Sequence, residues 1–89
     1  MQEQQIEIIN KLGLHARAAA KLVSTASRFG SKVTVSLGSQ EADAKSIMAV
    51  MMLAAAKGSV INIVCDGDDE QLAMQALTEL ISDYFGEEE

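Results

Sequence analysis

Polar and apolar residues alternate from Glu3 to Ile9 and place Ile6 and Ile8 on one face, which predicts a first strand. From Ala16 to about Arg28 the spacing changes: Ala19, Leu22, Val23 and Ala26 recur every three or four residues, as on one face of a helix. Gly30 stops that helix, where a left-handed cap comes at little cost. Lys32 to Leu37 returns to period two, with Val33, Val35 and Leu37 facing inward. Gly38 and Ser39 form a tight turn into a short strand from Glu41 to Ala44. A second helix is predicted from Ser46 to near Lys57 and Gly58. Val60 to Cys65 is rich in β-branched residues and reads as a further strand. Asp66 to Asp69 then turn the chain, with Asp68 and Gln71 at capping-box spacing. A last helix runs to about Tyr84, its stripe made of Ala73, Ala76, Leu77, Leu80, Ile81 and Tyr84. The order is βαββαβα, an α+β chain whose helices bury themselves on one face of a small antiparallel sheet.

With 89 residues the chain is expected to form one domain, 1–89, and no internal repeat or linker interrupts it. Aromatic residues are only 3% of the chain against 48% hydrophobic, so the core must be aliphatic, alanine and methionine. One cysteine, Cys65, excludes an internal disulfide and every multi-cysteine metal motif. Its place in a β-branched run suggests a buried strand residue, with a reactive thiol as the alternative. No metal site or bound cofactor is expected. No apolar run is long enough to cross a bilayer, and the first one is broken by Glu7, so a cytoplasmic location without membrane insertion is expected. Nothing in the sequence asks for an oligomer, so a monomer is expected.

The net charge of −6 argues against a nucleic-acid-binding domain. Its distribution is more informative. Residues 1–57 hold all seven basic residues against Glu3, Glu7, Glu41 and Asp43, leaving +3, and residues 58–89 hold nine acids and no base. Acidic partners would be steered toward the first part by an attraction that salt weakens. Glu87, Glu88 and Glu89 are read as a solubilising terminus.

That first part contains the only histidine, His15, at the junction between the turn at Gly13 and the alanine-rich helix. A side chain there lies near the N–H groups that open the helix, which together with the helix dipole attract phosphate. Two residues on, Arg17 offers a planar, permanently charged donor for phosphate oxygens. The positive helix end disfavours the imidazolium and so favours a neutral ring with a free lone pair, as a nucleophile requires. Once loaded, the phosphoryl group would be stabilised by the same dipole and by Arg17. Taken alone, a histidine before a helix also fits a capping or packing role, and an arginine a solvated one.

Context favours the chemical reading. Gly13-Leu14-His15-Ala16-Arg17 resembles the active-site signature of the HPr family, the histidine phosphocarriers of the phosphoenolpyruvate-dependent phosphotransferase system. Lys45-Ser46-Ile47-Met48-Ala49-Val50-Met51 is similar to that family's regulatory-serine region. The resemblance implies an open-faced β-sandwich, four antiparallel strands covered on one face by three helices. It implies a phosphoryl group accepted on Nδ1 of His15 from phospho-enzyme I and passed to an enzyme IIA histidine. Such a chain is a carrier within a series of transfers, not an autonomous enzyme. One departure stands out: the family commonly has proline after the arginine, and here Ala18 takes that place. The helix survives the change, at a loss of stiffness of about 0.4–1 kcal/mol.

Ser46 precedes a helix that is apolar on every side, more than a small domain can bury. Ile47, Val50 and Met51 fit its inward stripe, leaving Met48 and Met52 as the better exposed candidates. Exposed apolar residues here would mark a docking surface for several partners, with Ile47, Met48, Met51 and Met52 as its members. Ala16 and Ala20 are small enough to let a partner approach His15. Ser46 itself is an N-cap candidate. The resemblance adds a second role, phosphorylation by HPr kinase/phosphorylase, which would place negative charge inside the patch. A nitrogen-type (NPr) regulatory phosphorelay and a contact-only regulator are the competing functions, and the presence of His15 speaks against the latter.

Overall fold

The computed structural model describes residues 1–86, so the acidic run Glu87 to Glu89 lies outside the described residues. Four strands, β1 (Gln2–Glu7), β2 (Lys32–Leu37), β3 (Gln40–Asp43) and β4 (Val60–Asp66), form one antiparallel sheet in the order β1-β4-β2-β3. Helices α1 (Ala16–Ser27), α2 (Ile47–Met52) and α3 (Glu70–Ser82) cover one face, and a short 3₁₀ turn, Tyr84–Gly86, follows. The register pairs Ile6 with Ile61 and Val35 with Ile63, so their side chains line the covered face. Period two then puts Glu3, Val64, Thr34 and Asp43 in one row of the open face, and Gln5, Asn62, Ser36 and Glu41 in the next. Between the layers, Ile8, Leu22, Val33, Val35, Val50, Ile61, Ile63, Leu77, Ile81 and Phe85 are fully buried. Cys65 is buried with them.

Five expectations need correction. Gly30 does not adopt a left-handed conformation: α1 is capped at Arg28, which stays right-handed at φ −73° and ψ −14°. The first strand ends at Glu7, yet Ile8 stays in the core: its N–H donates to the Ser59 carbonyl at 2.8 Å and its carbonyl accepts from Gly58 N–H at 2.7 Å. Helix α2 ends at Met52, well short of Lys57, because Ala54 adopts φ +53° and closes the last turn. At the start of α3 the N-cap is Asp69, and the Asp68–Gln71 capping box does not form. At its other end Tyr84 is partly exposed, and Phe85, thrown inward by positive φ at both residues, fills the core in its place.

Candidate functional site

The chain approaches α1 through a turn whose geometry leaves little freedom. Gly13 N–H donates to the Asn10 carbonyl at 3.1 Å, and the buried Asn10 Nδ2 donates to the Gly13 carbonyl at 2.8 Å. Gly13 sits at φ +65° with its Cα pressed on the segment after α2; a Cβ there would lie 2.5 Å from the Ala55 carbonyl oxygen. The next residue, Leu14, donates its N–H to that same Ala55 oxygen at 2.8 Å. The strand-to-helix turn is thereby bolted to the end of α2, and His15 emerges from it in a fixed orientation.

His15 is the N-cap of α1, with extended backbone. Its Nδ1 accepts from the Arg17 N–H at 3.2 Å, while its carbonyl accepts from Ala19 N–H at 2.8 Å and starts the helical ladder. The contact assigns the Nδ1 lone pair to the helix N-terminus and leaves the ring proton of the neutral form on Nε2. Nδ1 is thus the nitrogen that faces the backbone N–H groups of the first turn. Ala16, Arg17 and Ala20 are exposed around the half-buried ring, and Ala18 is fully buried beneath it.

Helix α2 packs beside α1. Its N-cap is Ser46, whose Oγ accepts from Ala49 N–H at 3.4 Å, and whose carbonyl accepts from Val50 N–H at 3.0 Å. Only Val50 of the predicted inward stripe is buried. Ile47 and Met51 are 39% and 38% exposed and join Met48 at 67% and Met52 at 75%, because a six-residue helix presents too little length to turn three residues inward. Leu12 is a further exposed apolar residue, 65% exposed in the turn before His15, and sequence reasoning missed it. An apolar residue between Lys11 and Gly13, inside a turn, was the available signal.

The charges of residues 1–57 are unevenly placed. Glu3, Glu7, Glu41 and Asp43, all the acids of residues 1–57, stand on the open face of the sheet. Of the seven bases, Arg17, Lys21 and Arg28 belong to α1 or its cap, Lys45 precedes α2, Lys11 and Lys57 lie in loops, and Lys32 is the base on the sheet. Two of these amines serve as structural donors as well: Lys21 Nζ bonds the Phe85 carbonyl at 2.6 Å, and Lys45 Nζ the Phe29 carbonyl at 2.8 Å. Among the described residues no group of three histidine, cysteine or acidic side chains is placed to hold a metal ion, and no helix is long and apolar enough to cross a membrane.

A family model described as the PTS HPr component phosphorylation site matches residues 2–83. The chain belongs to the HPr family. It is similar to the phosphocarrier protein HPr of Neisseria meningitidis, 60% identical over 89 residues that cover all of both chains. The phosphocarrier protein NPr of Shewanella violacea is 40% identical, with 96% of this chain and 93% of that one covered. Among solved structures, an HPr from Thermoanaerobacter tengcongensis superposes with a TM-score of 0.96 at 48% identity, covering both chains completely. The open-faced sandwich of HPr, its helices gathered on one side of the sheet, is therefore the fold of this chain. As a member of the HPr family it is a phosphocarrier of the phosphotransferase system.

Proposed function

We propose that this HPr carries its phosphoryl group on Nδ1 of His15, takes it from phospho-enzyme I and delivers it to an enzyme IIA histidine. The observation that carries this reading is the Nδ1 lone pair held at the N-terminus of α1 by the Arg17 N–H. For loading, the ring swings Nδ1 off that N–H and toward the incoming phosphorus. The new N–P bond forms in line as the bond to the donor histidine breaks, and the donor ring leaves with its electron pair. The first-turn N–H groups and Arg17 then face the phosphoryl oxygens rather than the Nδ1 lone pair, and they neutralise charge without reorganising. Delivery reverses the steps on a second partner, so one arrangement serves both directions.

The apolar patch of Leu12, Ile47, Met48, Met51 and Met52, bordered by Arg17, supplies the docking face. Ala16 and Ala20 leave the approach to His15 open. A phosphate on Ser46 would place about two negative charges beside Ile47 and Met48 and repel acidic partners, which supports a regulatory role for that serine. Of the two relay types, the sugar-uptake version is favoured by 60% identity to HPr against 40% to NPr. The cytoplasm is the compartment that supplies these partners.

Labelled phosphoenolpyruvate and cognate enzyme I test the reading. Acid-labile, alkali-stable label is expected on the parent chain and none on His15→Ala. Absence of label on the parent, with an enzyme I active on another HPr, would leave a contact-only regulator as the better account.

A further inference from the structure

Helix α2 has two flanks. One packs against α1 and faces the approach to His15; the other packs against β3. On the β3 flank lies a groove of about 240 Å³, lined by Ala49, Met52 and Leu53 from the α2 segment and by Gln40 and Glu41 from β3. Its floor is apolar, since Leu53 is buried and Ala49 packs on the core. One wall is the thioether side chain of Met52, free to move aside or close over an occupant. Its rim is the Glu41 carboxylate, exposed and engaged in no ion pair or hydrogen bond among the described residues. The groove is continuous with the docking patch through Met52. It is also one turn from Ser46, because Ala49 in the groove donates the N–H that caps the Ser46 hydroxyl.

We propose that this groove is an anchoring subsite for the kinase that modifies Ser46, taking one of its aliphatic side chains with a neighbouring lysine or arginine on Glu41. The inference rests on the docking and Ser46 readings above and adds the chemistry of the partner to them. An aliphatic side chain matches walls that are methyl, thioether and isobutyl groups, and a cation matches the one ionic group on the rim. Nearby charge leaves the rim acidic: Asp43, on the same sheet face, adds to Glu41, and the Lys45 amine is turned onto the Phe29 carbonyl. Lys32 lines a depression of the sheet face together with Glu41 and Asp43 and offsets one of those two carboxylates, which leaves the rim net acidic, and Arg17 belongs to α1, on the other flank of α2. A partner directed at His15 straddles α1 and α2 and has no need of the β3 flank. The groove therefore separates the two classes of partner: those that move phosphate at His15, and the one that writes on Ser46.

The test uses purified HPr kinase/phosphorylase with ATP, and cognate enzyme I with phosphoenolpyruvate, on the full chain. Glu41→Lys reverses the rim charge, and Ala49→Leu fills the groove with a good helix former. Glu7→Lys makes the same net-charge change on β1, away from the groove. Glu41→Lys and Ala49→Leu are expected to raise the kinase KM about tenfold with kcat nearly unchanged. Glu7→Lys is expected to leave that KM within about a factor of two, and none of the three to alter transfer from enzyme I. Kinase KM values unchanged for Glu41→Lys and Ala49→Leu, or equally raised by Glu7→Lys, would overturn the subsite and leave the carrier reading standing. A kinase that ignores the parent chain overturns it together with the Ser46 reading, while labelling of His15 by enzyme I still decides the carrier reading separately.

Discussion

Asp69 shows how much a single carboxylate can join. It accepts from the Gly30 N–H at 2.9 Å, from the Ser31 N–H at 3.0 Å and from the Ser31 hydroxyl, linking the chain after α1 to the start of α3. The Ser31 hydroxyl, followed by the Gly30 and Ser31 N–H groups, holds its carboxyl below the ordinary aspartate value. A lowered folded value means that the contribution to stability is present above the unfolded value, about pH 4, and is lost as pH falls through the folded one. Asp69→Asn is therefore expected to be less stable than the parent at pH 7, with the gap narrowing toward pH 3. Urea unfolding across that range measures it, and a gap that stays constant would count against the ionised carboxylate as its source. Glu70, held down by the Met1 amino group and the Gly67 N–H, adds acid sensitivity that both proteins share. Cys65 makes the opposite case. Burial pushes its thiol up, so alkylation at pH 8 is expected to proceed only as fast as the protein opens. The buried cysteine was legible from its β-branched neighbours, whereas Asp69 read only as part of a turn, because its partners lie nearly forty residues away.

At the scale of elements, α2 and the turn before α1 behave as one piece. Sequence pattern located α1, β2 and β4 within a residue or two, since each carries a clean periodicity against one buried face. The end of α2 was not legible. Ala54, Ala55 and Ala56 are the best helix formers available, and local preference would continue the helix through them. Tertiary contact decides otherwise: the Ala55 carbonyl is taken by Leu14 N–H and Gly13 closes on Ala56. Ala54, at φ +53°, bears the resulting strain in a position glycine would occupy more easily. Ala54→Gly is expected to stabilise the protein by about 0.5–1 kcal/mol after the extra chain entropy is counted, seen as a Tm higher by a few degrees. Gly13→Ala should cost about 2 kcal/mol or more, since a backbone carbonyl blocks its methyl, and should slow loading of His15 with it. Thermal melts and enzyme I kinetics on the same preparations separate the two effects. Ser46→Ala should cost about 0.5–1 kcal/mol, the lower part of the range for an N-cap, as its bond is long.

Over the whole molecule, the acids of the first 57 residues stand on the open face of the sheet and the bases of α1 on the other side, where α3 and its ends add Asp68, Asp69, Glu70, Glu79 and Asp83. The uneven charge along the chain was legible in the sequence; that the four acids of the first 57 residues stand behind the basic helices was not, because it depends on strand register. Arg17, Lys21 and Arg28 on α1 and Lys45 before α2 attract acidic donors to the His15 side although the chain as a whole carries −6. The KM for enzyme I is expected to rise steadily between low salt and about 0.5 M, with kcat little changed. A KM indifferent to salt would assign docking to the apolar patch alone.

The bare outer face of the sheet has a practical side. Cys65 is the only thiol in the chain and lies in the core, so a cysteine introduced at Gln5, exposed in the middle of an edge strand and pointing away from the helices, would be the one group a maleimide could find. A dye or a surface tether attached there would leave α1 and α2 unencumbered, and would turn this carrier into its own reporter of each partner that comes and goes.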